Sequence, residues 1–168
     1  LAREQVVAEF DSPYLADLPA WAIPPHRRWL SDRANLWVTG YNTSKVKRED
    51  LPATIEGFAD PTWKGRLSIE ATDSDWMYGV TQYMGEERGR EFFRRLAALK
   101  PEMRKGHILV AQLVAAGELA VCLTIYSGNA DSIKAKGGPI DWAAVEPLVG
   151  RPQAIALARN APHPHAAL

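Results

Sequence analysis

The sequence predicts an α/β fold: a mixed, mostly parallel sheet with helices on both faces. Three observations carry that prediction. Strand-type and helix-type segments alternate along the chain, the run from Leu119 to Tyr126 is apolar almost throughout, and helical segments precede and follow that run. A strand without a polar face is buried on both sides, as in a layered α/β arrangement. The 168 residues make one ordinary domain, and 46% hydrophobic with 24% charged residues are globular proportions that argue against extended disorder.

Residues 1–35 carry Pro13, Pro19, Pro24 and Pro25, a density that prevents long helices and predicts an irregular approach segment. Leu36–Tyr41 is aromatic and β-branched, a strand. Asp50-Leu51-Pro52-Ala53-Thr54 begins a short helix ending near Asp60-Pro61, with Thr54 as its cap. Gly65–Ala71 alternates apolar and polar residues as a second strand, and Thr72-Asp73-Ser74-Asp75 are four capping-type residues ahead of a helix from Trp76. Over 86–100, Phe92, Phe93, Leu96 and Leu99 line one face of a helix while Glu and Arg cover the rest, a solvated face. A further helix spans Ile108–Ala116 and stops at Gly117, where a left-handed cap is needed. After the Leu119–Tyr126 strand come a short helix, Asn129–Lys136, and two short strands, Asp141–Val145 and Ala154–Ala158.

Composition excludes several classes of function. Twenty Lys and Arg against twenty Asp and Glu leave no basic footprint for nucleic acid. No apolar run reaches the length of a membrane span. A single cysteine, Cys122, excludes a disulfide framework and a multi-cysteine zinc cluster, and its apolar neighbours predict a buried core thiol. The chain starts at Leu1 without a signal peptide and ends in His163-Pro164-His165-Ala166-Ala167-Leu168, the opening of a helix; both ends read as cut from a longer, processed chain.

The familiar catalytic signatures (G-x-S-x-G, P-loop, G-x-G-x-x-G and H-E-x-x-H) are missing, and no nucleophile–base pair is recognisable. His26 sits in a proline-rich loop, and His163-Pro164-His165 reads as a helix entry. His107 opens a helix, where exposed N–H groups favour anions. Asp73 and Asp75 are explained as helix caps, although a capping carboxylate can also meet a metal or an amine. Trp63 reads as a turn anchor packed over the sheet. In parallel sheets ligands bind beyond the carboxyl ends of strands, which selects Thr72–Asp75 and Tyr126–Asn129.

These motifs together resemble a known family. Asp50–Thr54 followed by Asp60-Pro61-Thr62-Trp63-Lys64-Gly65-Arg66-Leu67, then Tyr41-Asn42-Thr43, Leu109–Glu118, Leu123–Tyr126, Arg151–Leu157 and Asn160–Pro164 are similar to stretches of periplasmic solute-binding proteins of ABC transporters, the ferric-iron-type group above all. The resemblance runs from about Phe10 to Leu168. It implies a periplasmic-binding-protein type II-like lobe: 1–40 would end a first lobe and form the crossover, 41–150 the second α/β lobe, and 151–168 the return crossover strand and the start of a first-lobe helix.

The resemblance further implies capture of a small solute between two lobes, with ferric iron or a small anion or metal complex as ligand. Carried over residue by residue, the ligand-binding set is Thr72, Asp73, Ser74, His107, Thr124, Tyr126, Ser127 and Arg151. Tyr126 is the metal candidate. Ser127 stands where the family's iron binders place a second tyrosine, and Asp73 stands in their anion-holding turn, where it would repel an anion unless a cation intervened. The expected protein is a monomeric, periplasmic or extracellular binding component, not an enzyme. It needs no cofactor and partners a membrane permease but no nucleic acid. An α/β enzyme or the ligand-sensing domain of a transcription regulator are the alternatives on this fold.

Overall fold

In the computed structural model the described residues are 6–9 and 11–167. Leu1, Phe10 and Leu168, at which the cut amino end and the limits of the resemblance were placed, lie outside them. The chain divides into one unit formed by Leu36–Gly150 and another formed by 1–35 with Arg151–Leu168.

The larger unit is built on a sheet whose strands are β1 (Leu30–Asn42), β2 (Leu67–Glu70), β3 (Glu102–Arg104), β4 (Val121–Tyr126) and β5 (Ile140–Ala143), in the order β3-β2-β4-β1-β5. β2 runs parallel to β3 and β4, whereas β1 is antiparallel to β4 and β5. Among these five, β1 alone is reversed, the mixed, mostly parallel arrangement the sequence predicts; a sixth strand, β6 (Val149–Ile155), pairs with β1 off that path. Four helices cover it: α1 (Ser74–Met84), α2 (Glu86–Ala98), α3 (His107–Ala116) and α4 (Ser127–Lys134). No helix among the described residues is long and apolar enough to cross a membrane.

Both faces of the sheet are covered. On one side Trp37, Leu67, Ile69, Val121 and Leu123 pack with Trp76 and Val80 of α1 and Phe92 and Leu96 of α2. On the other, Cys122, Ile125 and Ile140 pack with Val110, Ala111 and Val114 of α3 and Ala130 of α4. Between the register pairs Val38↔Ile125 and Gly40↔Cys122, the single Thr39 stands against both Leu123 and Thr124. This β-bulge breaks strict alternation. Unbulged, Tyr126 would fall on the Cys122 side; instead it packs with the Val121 and Leu123 cluster.

Local chemistry explains most boundaries. α2 exposes Glu86 and Arg90, ion-paired at 2.6 Å one turn apart, a solvent-screened contact that contributes little to stability. α3 ends at Gly117, whose φ of 77° is left-handed as predicted. The Asn42 amide donates to the carbonyls of Val114 and Ala115, tying the end of β1 to the last turn of α3. Trp63 is buried, 5.0 Å centroid to centroid from Phe58, with the Arg66 guanidinium over its ring.

The short helix expected from Asp50 is instead a series of 3-10 turns, Arg48–Asp50, Ile55–Ala59 and Pro61–Trp63. Thr54 makes no side-chain cap, and Pro52 and Pro61 interrupt any longer run. β3, which the sequence pattern did not indicate, has three exposed residues.

In the smaller unit, 3-10 turns at Pro13–Asp17 and Ala20–Ala22 replace regular helices. Val7 bridges Ala158 in antiparallel fashion, and Asn35 hydrogen-bonds Gln153 of β6 (Val149–Ile155).

Candidate functional site

The carboxyl ends of β2 and β4 and the first residues of α1 and α3 converge on one rim of the larger unit. Glu70 ends β2 and is 2% exposed. Its Oε2 accepts the Thr72 N–H at 2.6 Å and the Thr72 hydroxyl at 2.7 Å, while Oε1 accepts the Gly106 N–H at 2.8 Å. Burial pushes the Glu70 carboxyl up, but these hydrogen bonds and the nearby His107 outweigh it and hold the group below its ordinary value. Gly106 can offer its N–H there because its φ of 108° is open to glycine. Glu70 thereby ties the loop carrying His107 to the end of β2.

Asp73 occupies the N-cap position of α1 yet makes no capping hydrogen bond. Its carboxylate turns to His107, the first residue of α3, with Oδ1 to Nε2 at 3.3 Å. The cap explanation of Asp73 therefore gives way to a cross-element pair. The imidazole lies face to face with the Tyr126 ring, centroids 3.8 Å apart and planes 25° apart, and Trp37 stands behind that ring at 5.7 Å. Oδ2 of Asp73 and Nδ1 of His107 are buried and have no hydrogen-bond partner among the described residues.

The other predicted residues distribute around this centre. Thr124 is fully buried, and its hydroxyl oxygen accepts the Glu70 N–H at 2.9 Å, beside the bulge where the backbone ladder is interrupted. Thr72 serves Glu70, Ser74 opens α1 and Ser127 opens α4. Arg151 is exposed on β6 and belongs to the other unit. Glu70 itself was not among the residues singled out from the sequence. An acidic residue closing an apolar strand beside a run of capping residues was the available signal. Next to the rim lies a cavity of about 440 Å³, walled largely by apolar side chains including Ile69, Trp76, Phe93 and Met103.

The sequence pattern of bacterial extracellular solute-binding proteins matches residues 1–150. The chain belongs to this family. Among solute-binding proteins, it is 27% identical over 117 residues to the Fe(3+)-binding periplasmic protein of Serratia marcescens, a match covering 68% of this chain and 35% of that one. Iron-bound HitA from Pseudomonas aeruginosa superposes with a TM-score of 0.82 at 20% identity, over 99% of this chain and 56% of HitA. A substrate-binding protein of an ABC transporter from Agrobacterium tumefaciens gives 0.80 at 14% identity, over 98% and 52%. The chain thus spans from about a third to little more than half the length of these relatives. The resemblance drawn from Asp50–Leu67 and Leu109–Tyr126 is borne out, and with it the periplasmic-binding-protein type II-like fold.

Proposed function

We propose that the chain is part of the substrate-binding component of an ABC importer, acting outside the cytoplasmic membrane and delivering a small solute to a membrane permease. The observation that carries this reading is the convergence of Asp73, His107 and Tyr126, from three different elements, on one rim of the lobe. Recognition there requires polar groups held in place and a lobe that closes over the ligand, with no covalent step. In this reading 41–150 is the second lobe, and 1–40 and 151–168, which carries Arg151, are the crossover segments and first-lobe parts.

The name of the Serratia relative makes ferric iron the first ligand to test. Tyr126 offers a phenol and Asp73 a carboxylate, oxygen donors suited to a hard ion. Ser127 in place of a second tyrosine weakens an all-phenolate iron site, so other metals and small anions belong in the same panel. The experiment is ligand-dependent thermal unfolding of the complete protein across ferric iron, divalent metals and small anions. A solute that binds only the folded state raises the midpoint in proportion to log concentration. No shift with any of them would refute solute capture of this class.

A further inference from the structure

Two buried carboxylates, Glu70 and Asp73, share a single nitrogen base. Asp73 is 6% exposed, its Oδ1 faces His107, and its buried Oδ2 meets no donor among the described residues. A carboxylate oxygen withdrawn from water and left without a donor is costly, and buried charge is ordinarily paired or bound to a metal. Even a protonated His107 supplies one positive charge against two negative ones. The rim is therefore short of positive charge, the opposite of an anion-holding turn.

We propose that Asp73, His107 and Oε1 of Glu70 form a three-ligand seat for a divalent transition-metal cation of the zinc type. This rests on the reading of the rim as solute-facing and names the class of solute. One ligand atom from each residue can be chosen so that all lie within 4.8 Å of one another. The 3.3 Å between Asp73 Oδ1 and His107 Nε2 is the edge expected of a tetrahedron with bonds of about 2.0–2.1 Å, and an ion held through Oδ1 offsets the charge of the whole carboxylate, the donorless Oδ2 included. Glu70 must bind through one oxygen. Oε2 already accepts two hydrogen bonds from Thr72, whereas Oε1 accepts only the Gly106 N–H and keeps a lone pair. Those same hydrogen bonds orient the carboxylate, and the stacked Tyr126 ring fixes the imidazole plane. A nitrogen among carboxylate oxygens suits a borderline divalent ion rather than hard ferric iron. Three protein ligands leave a fourth position open.

The test is calorimetric titration of the chain with zinc chloride in the presence of a competing chelator. One ion per chain is expected, with affinity falling ~100-fold or more in Asp73→Asn and in His107→Gln. Glu91→Gln, on the outer face of α2, should leave it unchanged. Failure to bind zinc stoichiometrically, or unchanged affinity in both site variants, would overturn the proposal. Zinc-edge X-ray absorption on the unmutated chain reads the ligands whether or not the variants fold: an imidazole nitrogen with carboxylate oxygens supports the seat, and an all-oxygen shell overturns it. Uptake by cells carrying the complete protein separates the two readings. Uptake of another solute by a protein that binds no zinc refutes the seat alone, and bound zinc without uptake of any solute refutes capture while upholding the seat.

Discussion

Replacing Glu70 by glutamine tests how the rim is held together. The carboxylate receives three donors, Thr72 N–H, Thr72 Oγ1–H and Gly106 N–H, at 2.6, 2.7 and 2.8 Å. A glutamine of the same shape has one acceptor oxygen, and its amide group is itself a donor. At least one of the three donors then loses its partner, and the others lose the strengthening that a charged acceptor gives. The folded protein favours the ionised form despite its burial, because the hydrogen bonds outweigh desolvation. Neutralisation is therefore a net loss of about 2–3 kcal/mol. For a chain of this size that lowers Tm by about 5–10 °C. The folded-state pKa is depressed, so the stabilisation is complete above the unfolded value of ~4.3 and is lost as pH falls through the folded value. Thermal melts of Glu70→Gln and the parent, followed by far-ultraviolet circular dichroism, should differ fully at neutral pH and converge in acid. A difference under about 2 °C at neutral pH, or one that widens on acidification, would refute the account of Glu70 as the tie between β2 and the His107 loop.

Other substitutions probe the core and the rim. Tyr126→Phe keeps the ring stacked on His107 and removes only the hydroxyl, so the complete protein should lose ~10-fold or more in solute affinity, read by calorimetry with folding intact. Leu123→Ala empties a position that is 1% exposed at the centre of the sheet and should cost about 3 kcal/mol in denaturant unfolding. The thiol of Cys122 is fully buried and pushed up to about 11 by desolvation, so a thiol-reactive dye should label the folded chain only at the rate of its opening and label it at once in denaturant. Rapid labelling under native conditions would mean that β4 is less protected than its burial requires.

Legibility followed the periodicity of the sequence. α2 was readable because Phe92, Leu96 and Leu99 are buried while the Glu and Arg residues of the same segment are exposed, and α3 because Gly117 closes it. β4 was readable as a continuous apolar run. β3 was not, since Glu102, Met103 and Arg104 are exposed and the strand exists through its parallel pairing with β2. Leu67-Ser68-Ile69-Glu70 alternates apolar and polar residues, a pattern that ordinarily turns the polar ones to water, but the sheet is covered on both sides and Ser68 and Glu70 are buried. Asp73 matched the composition of a cap, and no local rule says that its carboxylate would turn to a histidine brought beside it by β2, β3 and α3. Tyr126 was singled out from its place at the end of an apolar strand. Its imidazole neighbour became its partner only through tertiary structure.

The extra residue in β4 has a bearing on how this family can vary. Six residues there occupy the span of five, and Thr124 is the supernumerary one that also takes the Glu70 N–H. A chain lacking it could pair regularly and still turn a tyrosine to the same side, because losing the bulge and losing one residue offset each other in the alternation. Such a chain would need a new acceptor for the Glu70 N–H. Length in this strand is then open to natural drift by a single-codon insertion or deletion, in a place where secondary structure ordinarily forbids it. Equivalent tyrosines in two such chains would accordingly sit one residue apart in sequence while facing the same side of the sheet.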